Sequence, residues 1–407
     1  MRAVVAGAVI AAAAAIACGR PAPAAGAAEL ARLPWDSVLA RARGTTVTWR
    51  MWRGDPSVNR YIDQWVAPRL KRSYGIDLRA VEGQGPAMVN ALLVERSARA
   101  RGSADLLWIN GETFHQLRTA GLLAGPWAGV LPNDRYVDSA SRIIMRDFEQ
   151  PTDGLESPWG TVQFALIYDS LRTPSPPRTY AELAEWIRAH PGRFTYDQGF
   201  TGITFLKQLL YVEAGGAGRL AGGFDSVRYR VASAGVWAWL DSVRPALWRG
   251  GAAYPREVAE LHRLFANQEV DFSMSFNQND VLAKSARGLL PMTARALVLR
   301  DGTIANAHYV GIPVNAPNPA GAMVVADFLL SPEAQFEKQR PEVWADGTVL
   351  DPARLPPEWA ERFRTAERDP RAVPRDTLAR YARPEVAPEY HEHLAADWRE
   401  RVRETGQ

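Results

Sequence analysis

Cysteine is almost missing from this chain: Cys18 is the only one in 407 residues. A single thiol cannot close an internal disulfide or build a cysteine-rich metal centre. Histidine is scarce as well, with six in all. His115, His190, His262 and His308 are scattered, and His391 and His393 are spaced too closely for a one-face helical pair of ligands. There is no HExxH, P-loop or GxSxG elbow, so zincin, phosphate-loop and serine-hydrolase chemistry lack their recognisable supports. An excess of one charge sign is missing too. Against 45 acidic residues stand 48 basic ones, a formal net charge of +3, and arginines alternate with acids, which predicts solvated faces rather than a nucleic-acid groove. No stretch beyond the first 17 residues is apolar enough to span a bilayer, and no internal repeat supports a solenoid or a propeller.

What the chain does have begins with its leader. Arg2 precedes the apolar run Val4–Ala17 and small residues close it, the pattern of a secretory signal over residues 1–17. Ala15-Ile16-Ala17-Cys18 resembles a bacterial lipoprotein cleavage motif in which Cys18 carries the lipid. An ordinary peptidase would instead cut near Ala24-Ala25 or Gly26-Ala27-Ala28. Either way the expected address is the periplasm, anchored through Cys18 in the first case. Residues 18–45 read as a tether, on the strength of the small and proline residues in Gly19–Gly26. Aromatic residues are abundant, with 14 Trp, 12 Tyr and 13 Phe. A plain core needs few tryptophans, and aromatic planes in a cleft suit an organic ligand with a ring or a cation.

Strand-like and helix-like stretches alternate. Thr46–Trp52 reads as a strand, and Val58–Tyr74 carries helical apolar spacing stopped by Gly75. Ile76–Val81, Met88–Arg99, Ala104–Ile109 and Phe114–Ala120 repeat the order. This predicts an α/β fold built on an open parallel sheet covered by helices. After a break at Gly154–Gly160, Thr161–Asp169 is expected to cross into a second lobe and Tyr309–Val314 to return. The expected organisation is two discontinuous lobes joined by hinge strands, closing on a ligand between them. Lobe 1 takes residues 46–160 plus 309–407, with the C-terminal helices free to span both, and lobe 2 takes 161–308.

Ligands of open α/β sheets lie beyond the C-terminal ends of the strands, which puts Trp52–Asp55 and Asn110–Glu112 on one rim. Trp52 offers a ring and Arg53 a planar donor fork for a phosphate or carboxylate. Asn110 adds an amide, and Gly111 a main-chain donor. Trp159 with Gln163 provides an aromatic wall and a polar handle at the crossing. Tyr196 and Thr201 form a rim on the second lobe, ahead of a helix read as Thr204–Glu213 whose start presents free N–H groups unless Thr204 caps it. Asn277 follows the strand Phe272–Phe276, and Tyr309 opens the return strand. Each has a plainer use: core packing for the rings, an external salt bridge for Arg53, an ordinary turn for Asn110-Gly111. Two carboxylates across a cleft would instead make a secreted carbohydrate-active hydrolase, and an exposed apolar patch without a pocket an adhesion or scaffolding protein. No cofactor or metal site is expected.

Ala104-Asp105-Leu106-Leu107-Trp108-Ile109-Asn110-Gly111-Glu112-Thr113-Phe114, Glu156-Ser157-Pro158-Trp159-Gly160-Thr161-Val162-Gln163-Phe164, Pro191-Gly192-Arg193-Phe194-Thr195-Tyr196 and Leu329-Leu330-Ser331-Pro332-Glu333-Ala334-Gln335 occur in that order. Together they resemble the extracytoplasmic solute-binding components of ABC importers, with a closer likeness to the YnjB-type family, over residues 45–395. The resemblance implies a two-lobed receptor with no catalytic step, handing a small molecule to a membrane permease driven by a separate ATPase, a monomer sufficing. The wider group includes receptors for thiamine, polyamines and ferric iron. Its iron receptors are marked by paired tyrosines and a histidine, and no two tyrosines are adjacent here. A thiamine-like cation suits tryptophan and tyrosine faces with a carboxylate nearby.

Overall fold

Alternating apolar residues in Thr46–Met51 (β1) bury Val47, Trp49 and Met51 on one face. In the computed structural model, which describes residues 26–366 and 371–405 with side chains described through 402, this strand is an interior strand of a sheet. Cys18 and the leader lie outside the described residues. β1 pairs in parallel with Asp77–Glu82 (β2) and Leu106–Ile109 (β3). The helix between β1 and β2 starts at Pro56, because Asp55 accepts a hydrogen bond from Ser57 N at 2.6 Å and so caps it. It runs through wider turns at Tyr61–Val66 and stops after Tyr74, where Gly75 takes a left-handed φ of 70°.

A short hairpin, Arg146–Asp147 (β4) with Gln150–Pro151 (β5), precedes the crossing. The remaining strands are Glu156–Gln163 (β6), Ala165–Asp169 (β7), Phe272–Ser275 (β8), Ala294–Leu297 (β9), Thr303–Gly311 (β10) and Ala382–Arg383 (β11). The first sheet runs β11-β10-β3-β1-β2, with β6 also on β10, and β10 lies antiparallel to both β3 and β6. The second sheet is antiparallel, in the order β8-β7-β9. β6 passes directly into β7 through Phe164, so β6 and β10 join the two lobes as long neighbouring strands.

Three expectations are corrected here. Gly154–Gly160 is not simply a break, since β6 begins at Glu156. Pro158 has no N–H to donate, and the ladder slips at that point: Gly160 faces His308 and Pro158 faces Tyr309, leaving Trp159 as the bulged residue. The lobe limits at 160 and 308 therefore fall inside hinge strands. The tether does not reach 45. Ala27–Leu30 and Trp35–Ala42 are helices that bury Ala27, Leu30, Val38 and Ala42 in the first core, the second of them packing on the helix Pro319–Leu329. The last helix, Pro388–Thr405, spans both lobes as allowed above: Tyr390, Leu394 and Trp398 join the core of the second, and His391 reaches Glu112 and the Phe148 ring of the first.

The first sheet is covered on both faces. Leu106 and Val310 join a cluster with Trp49, Trp127, Trp159 and Met323, whereas their neighbours Leu107, Ile109, Ala307 and Tyr309 join Met88, Phe114 and Leu117 on the other side. Among the described residues no helix is long and apolar enough to cross a membrane.

Candidate functional site

Because β1 and β3 are parallel and Arg50 lies opposite Leu107, the two strands end together and bring Trp52–Asp55 beside Asn110–Glu112. Trp52 is 36% exposed at this rim. Its ring meets Trp108 edge-on at 6.4 Å, and Trp108 in turn meets Trp159 at 4.8 Å, His308 at 5.3 Å and Trp344 at 5.9 Å. A buried charge relay fixes this aromatic base. His308 Nε2 lies 2.9 Å from Asp346 Oδ1, and Lys338 Nζ donates to Asp346 Oδ2 at 2.7 Å. Burial alone would raise the Asp346 carboxyl, but the charges and hydrogen bonds of His308 and Lys338 hold it below its ordinary range. Gly160 is needed here: a Cβ would strike both Asp346 and His308.

The other candidates divide by whether their polar atoms are already engaged. Asn110 is half-buried and its amide has no partner among the described residues. Thr201 lies in the first turn of the helix Phe200–Glu213 and is buried. That helix starts four residues ahead of the expected Thr204, whose hydroxyl donates back to Phe200 O at 2.8 Å and does not cap. Asp197 accepts from the Gly199 N–H at the entrance to this helix at 2.8 Å, so a side chain already answers one of the N–H groups expected to be free. Arg53 turns to Asp63 with bonds of 3.0 and 2.5 Å, the bland salt-bridge use of its fork. Gly111 N donates to Asp147 Oδ2 at 2.6 Å. Its φ of 50° and the Phe148 ring packed against its Cα leave no room for a side chain.

Trp159 is 1% exposed and acts as interior packing beneath the rim. Gln163 staples the hinge: its N–H donates to Gln278 Oε1, and its amide to Thr303 Oγ1 and Leu378 O. Tyr196 is buried, its hydroxyl accepting from Trp398 Nε1 at 3.0 Å. The buried Tyr309 hydroxyl reaches the carbonyls of Ile143, Ile144 and Arg146. Asn277 is engaged across the lobes, donating from Nδ2 to Ala345 O at 3.3 Å, while its Oδ1 accepts from Asn279 N.

The seam between the lobes contains residues that sequence reasoning passed over. Lys284 Nζ lies 3.5 Å from Asp55 Oδ2 and 3.2 Å from Asp280 Oδ1. On another part of the seam, Lys207 Nζ sits 4.9 Å from the rings of both Phe148 and Phe200 and pairs with Glu385 at 2.8 Å. Glu112 and His391 approach to 3.8 Å beside them. Burial, reinforced by Lys207 and Arg399, pushes His391 down to about 3, and burial pushes Asp147 up to about 8 despite the bonds from Gly111 and Phe148. The i,i+4 spacing of Asp280 and Lys284 was the available signal for the first group. The second is assembled from segments too far apart in sequence to have one. A shallow hollow of about 350 Å³ lined by Pro56, Asn59, Arg60, Asp63 and Gln64 has no second-lobe residue in its wall. Among the described residues no group of acidic, histidine or cysteine side chains is arranged to hold a metal.

A model of the bacterial extracellular solute-binding proteins matches residues 64–364. The chain belongs to that family. Protein YnjB of Escherichia coli strain K12 is 41% identical over 327 residues, covering 79% of this chain and 84% of that protein. Among solved structures, the periplasmic binding protein AfuA from Actinobacillus pleuropneumoniae superposes with a TM-score of 0.61 at 14% identity, covering 88% of this chain and 99% of that one. Iron-bound HitA from Pseudomonas aeruginosa gives 0.58 at 15% identity, covering 89% and 100%. These last two similarities establish the two-domain periplasmic-binding-protein fold. As a member of the family, the chain is an extracytoplasmic solute-binding component of an ABC-type import system, a transport protein rather than an enzyme. The hydrolase and adhesion alternatives are thereby set aside.

Proposed function

We propose that the solute is a small organic cation carrying a planar ring, captured at the rim by Trp52, Asn110 and Thr201. The observation that carries this reading is the exposed Trp52 ring on its rigid aromatic base, on the same rim as the half-buried Asn110 amide. A ring quadrupole favours a cation at its face, and an amide without a partner gives the directional bond that fixes orientation. Arg53, Gly111, Trp159, Gln163, Tyr196, Asn277 and Tyr309 serve as the frame behind that surface, since their polar atoms or rings are already engaged. Cys18 carries a lipid anchor in this reading, and the receptor acts as a monomer that docks on a membrane permease coupled to an ATPase.

Native mass spectrometry of freshly purified protein, followed by calorimetry with the co-purifying species and with thiamine as a probe cation, tests the solute class. Trp52→Ala is expected to weaken the retained cation by roughly tenfold, corresponding to a desolvated cation–π contact of about 1–2 kcal/mol. Retention of only anionic or neutral solutes, or unchanged affinity in Trp52→Ala, overturns the reading. Membrane-fraction association that persists in Cys18→Ser overturns the anchor.

A further inference from the structure

The charges at the Asp55 end of the seam are arranged so that each lobe fixes its own acid. Asp55 Oδ1 accepts from Ser57 N at 2.6 Å within the first lobe, which leaves Oδ2 facing outward. In the second lobe, Asp280 Oδ2 accepts from Ser275 Oγ at 3.1 Å and lies 3.3 Å from His262 Nε2, itself tied through Nδ1 to Ser273 Oγ at 2.8 Å. Asp280 Oδ1 faces Lys284 one helical turn further on. Lys284 thus belongs to the second lobe through Asp280 and touches the first through Asp55. The three side chains are 14% exposed for Lys284, 16% for Asp55 and 15% for Asp280, so water screens them little. A second bond crosses the seam nearby, from Asn277 to the carbonyl of Ala345, a residue held at a left-handed φ of 66°.

We propose that Lys284 is a closing clamp, a positioning residue whose ammonium is carried by Asp280 and captured by Asp55 when the lobes meet, so that the chain itself contributes an ion pair to closure. This goes beyond the choice of solute, because the pair forms between protein groups whichever molecule the rim accepts. Opening the lobes separates Lys284 from Asp55 and leaves Lys284–Asp280 intact within one helix. The contact therefore acts on the open–closed equilibrium rather than on folding. The other charged groups facing Lys284 are His262, through Asp280, and Arg287 one turn along; neither bridges to the first lobe in this arrangement.

Small-angle X-ray scattering of the full chain, without added solute, reads the lobe separation directly. From about 0.05 M to about 1 M salt the wild type is expected to shift from a more compact to a more extended profile, because salt stabilises the separated, solvent-facing charges of the open form more than the shielded pair of the closed one. Lys284→Met and Asp55→Asn should be extended throughout and insensitive to salt, with a closed-to-open ratio lowered by about fivefold or more, the upper end for a pair at a surface. Asp55→Asn keeps a good N-cap residue, so the helix from Pro56 is preserved. Lys284→Arg should restore compaction, and the double variant Lys284→Met/Asp55→Asn should match either single one. The clamp is overturned if both single variants superpose on the wild type at low salt, if their effects simply add, or if the wild type is extended at every salt concentration.

Discussion

The ion pair between Lys207 and Glu385 is the sharpest point at which to test how this molecule uses buried charge. Nζ and Oε2 are 2.8 Å apart, and the side chains are 0% and 2% exposed. Glu385 also accepts from Val386 N at 3.0 Å through its other oxygen, so the carboxylate is fully committed. The ammonium is flanked by the rings of Phe148 from the first lobe and Phe200 from the second. Burial nevertheless holds the Lys207 pKa below its ordinary value despite the partner acid, which means desolvation outweighs the attraction. Lys207→Met strands a carboxylate in a dry site and should cost about 3–5 kcal/mol. Glu385→Leu strands an ammonium between two phenyl rings. It should cost less by about 1–2 kcal/mol, because the rings partly replace the lost acid and the lysine can release its proton. The double variant Lys207→Met/Glu385→Leu removes both charges and should recover the loss, ending within about 1 kcal/mol of the wild type or above it. Urea unfolding followed by tryptophan fluorescence completes the double-mutant cycle. A Lys207→Met variant within about 1 kcal/mol of the wild type, or a double variant as unstable as Lys207→Met, refutes the reasoning.

Three further outcomes are expected. Asp147, raised from 3.8 to about 8 by burial, holds its proton more tightly when folded than when unfolded. Its stabilising contribution is complete below about pH 4 and is lost as pH rises towards about 8, so Asp147→Asn should melt higher than the wild type at pH 8 and alike near pH 4. An unchanged difference across that range would contradict the burial argument. His391, lowered from 6.5 to about 3 by burial, has the opposite sign: its contribution is present above pH 6.5 and falls away as pH drops towards about 3. His391→Gln should flatten the acid side of the melting profile between those limits. Gly111→Ala forces a Cβ into Phe148 at a left-handed backbone position, costing about 1–3 kcal/mol, and a melting temperature equal to that of the wild type would show that Phe148 yields freely.

Local elements were legible in the sequence wherever a signal lay within a few residues. The helix read as Val58–Tyr74 is present, starting two residues earlier at Pro56 and ending at Gly75. Thr179, a good capping residue directly ahead of an apolar run, caps the helix Tyr180–Ala189 by accepting from Glu182 N. The pairing of Trp52–Asp55 with Asn110–Glu112 on one rim followed from two parallel strands of known end points. The bulge at Trp159 was not legible, because it depends on where Pro158 meets Tyr309 on a strand about 150 residues away. Nor was the placement of Ala27–Ala42, since an alanine-rich amphipathic helix looks like a linker until a partner such as Pro319–Leu329 covers its apolar side.

By itself the sequence determined the strand–helix order, the hinged two-lobe plan, the family and the aromatic wealth of the rim, because periodicity and caps act over one or two turns of chain. Only the tertiary structure decided which of the suspected ligand groups remain available. Tyr196 meets Trp398, Gln163 meets Leu378, Arg53 meets Asp63 and Lys284 meets Asp55. A buried donor or acceptor takes whichever partner the fold brings within 3 Å or so, and three of those four meetings span 200 residues or more.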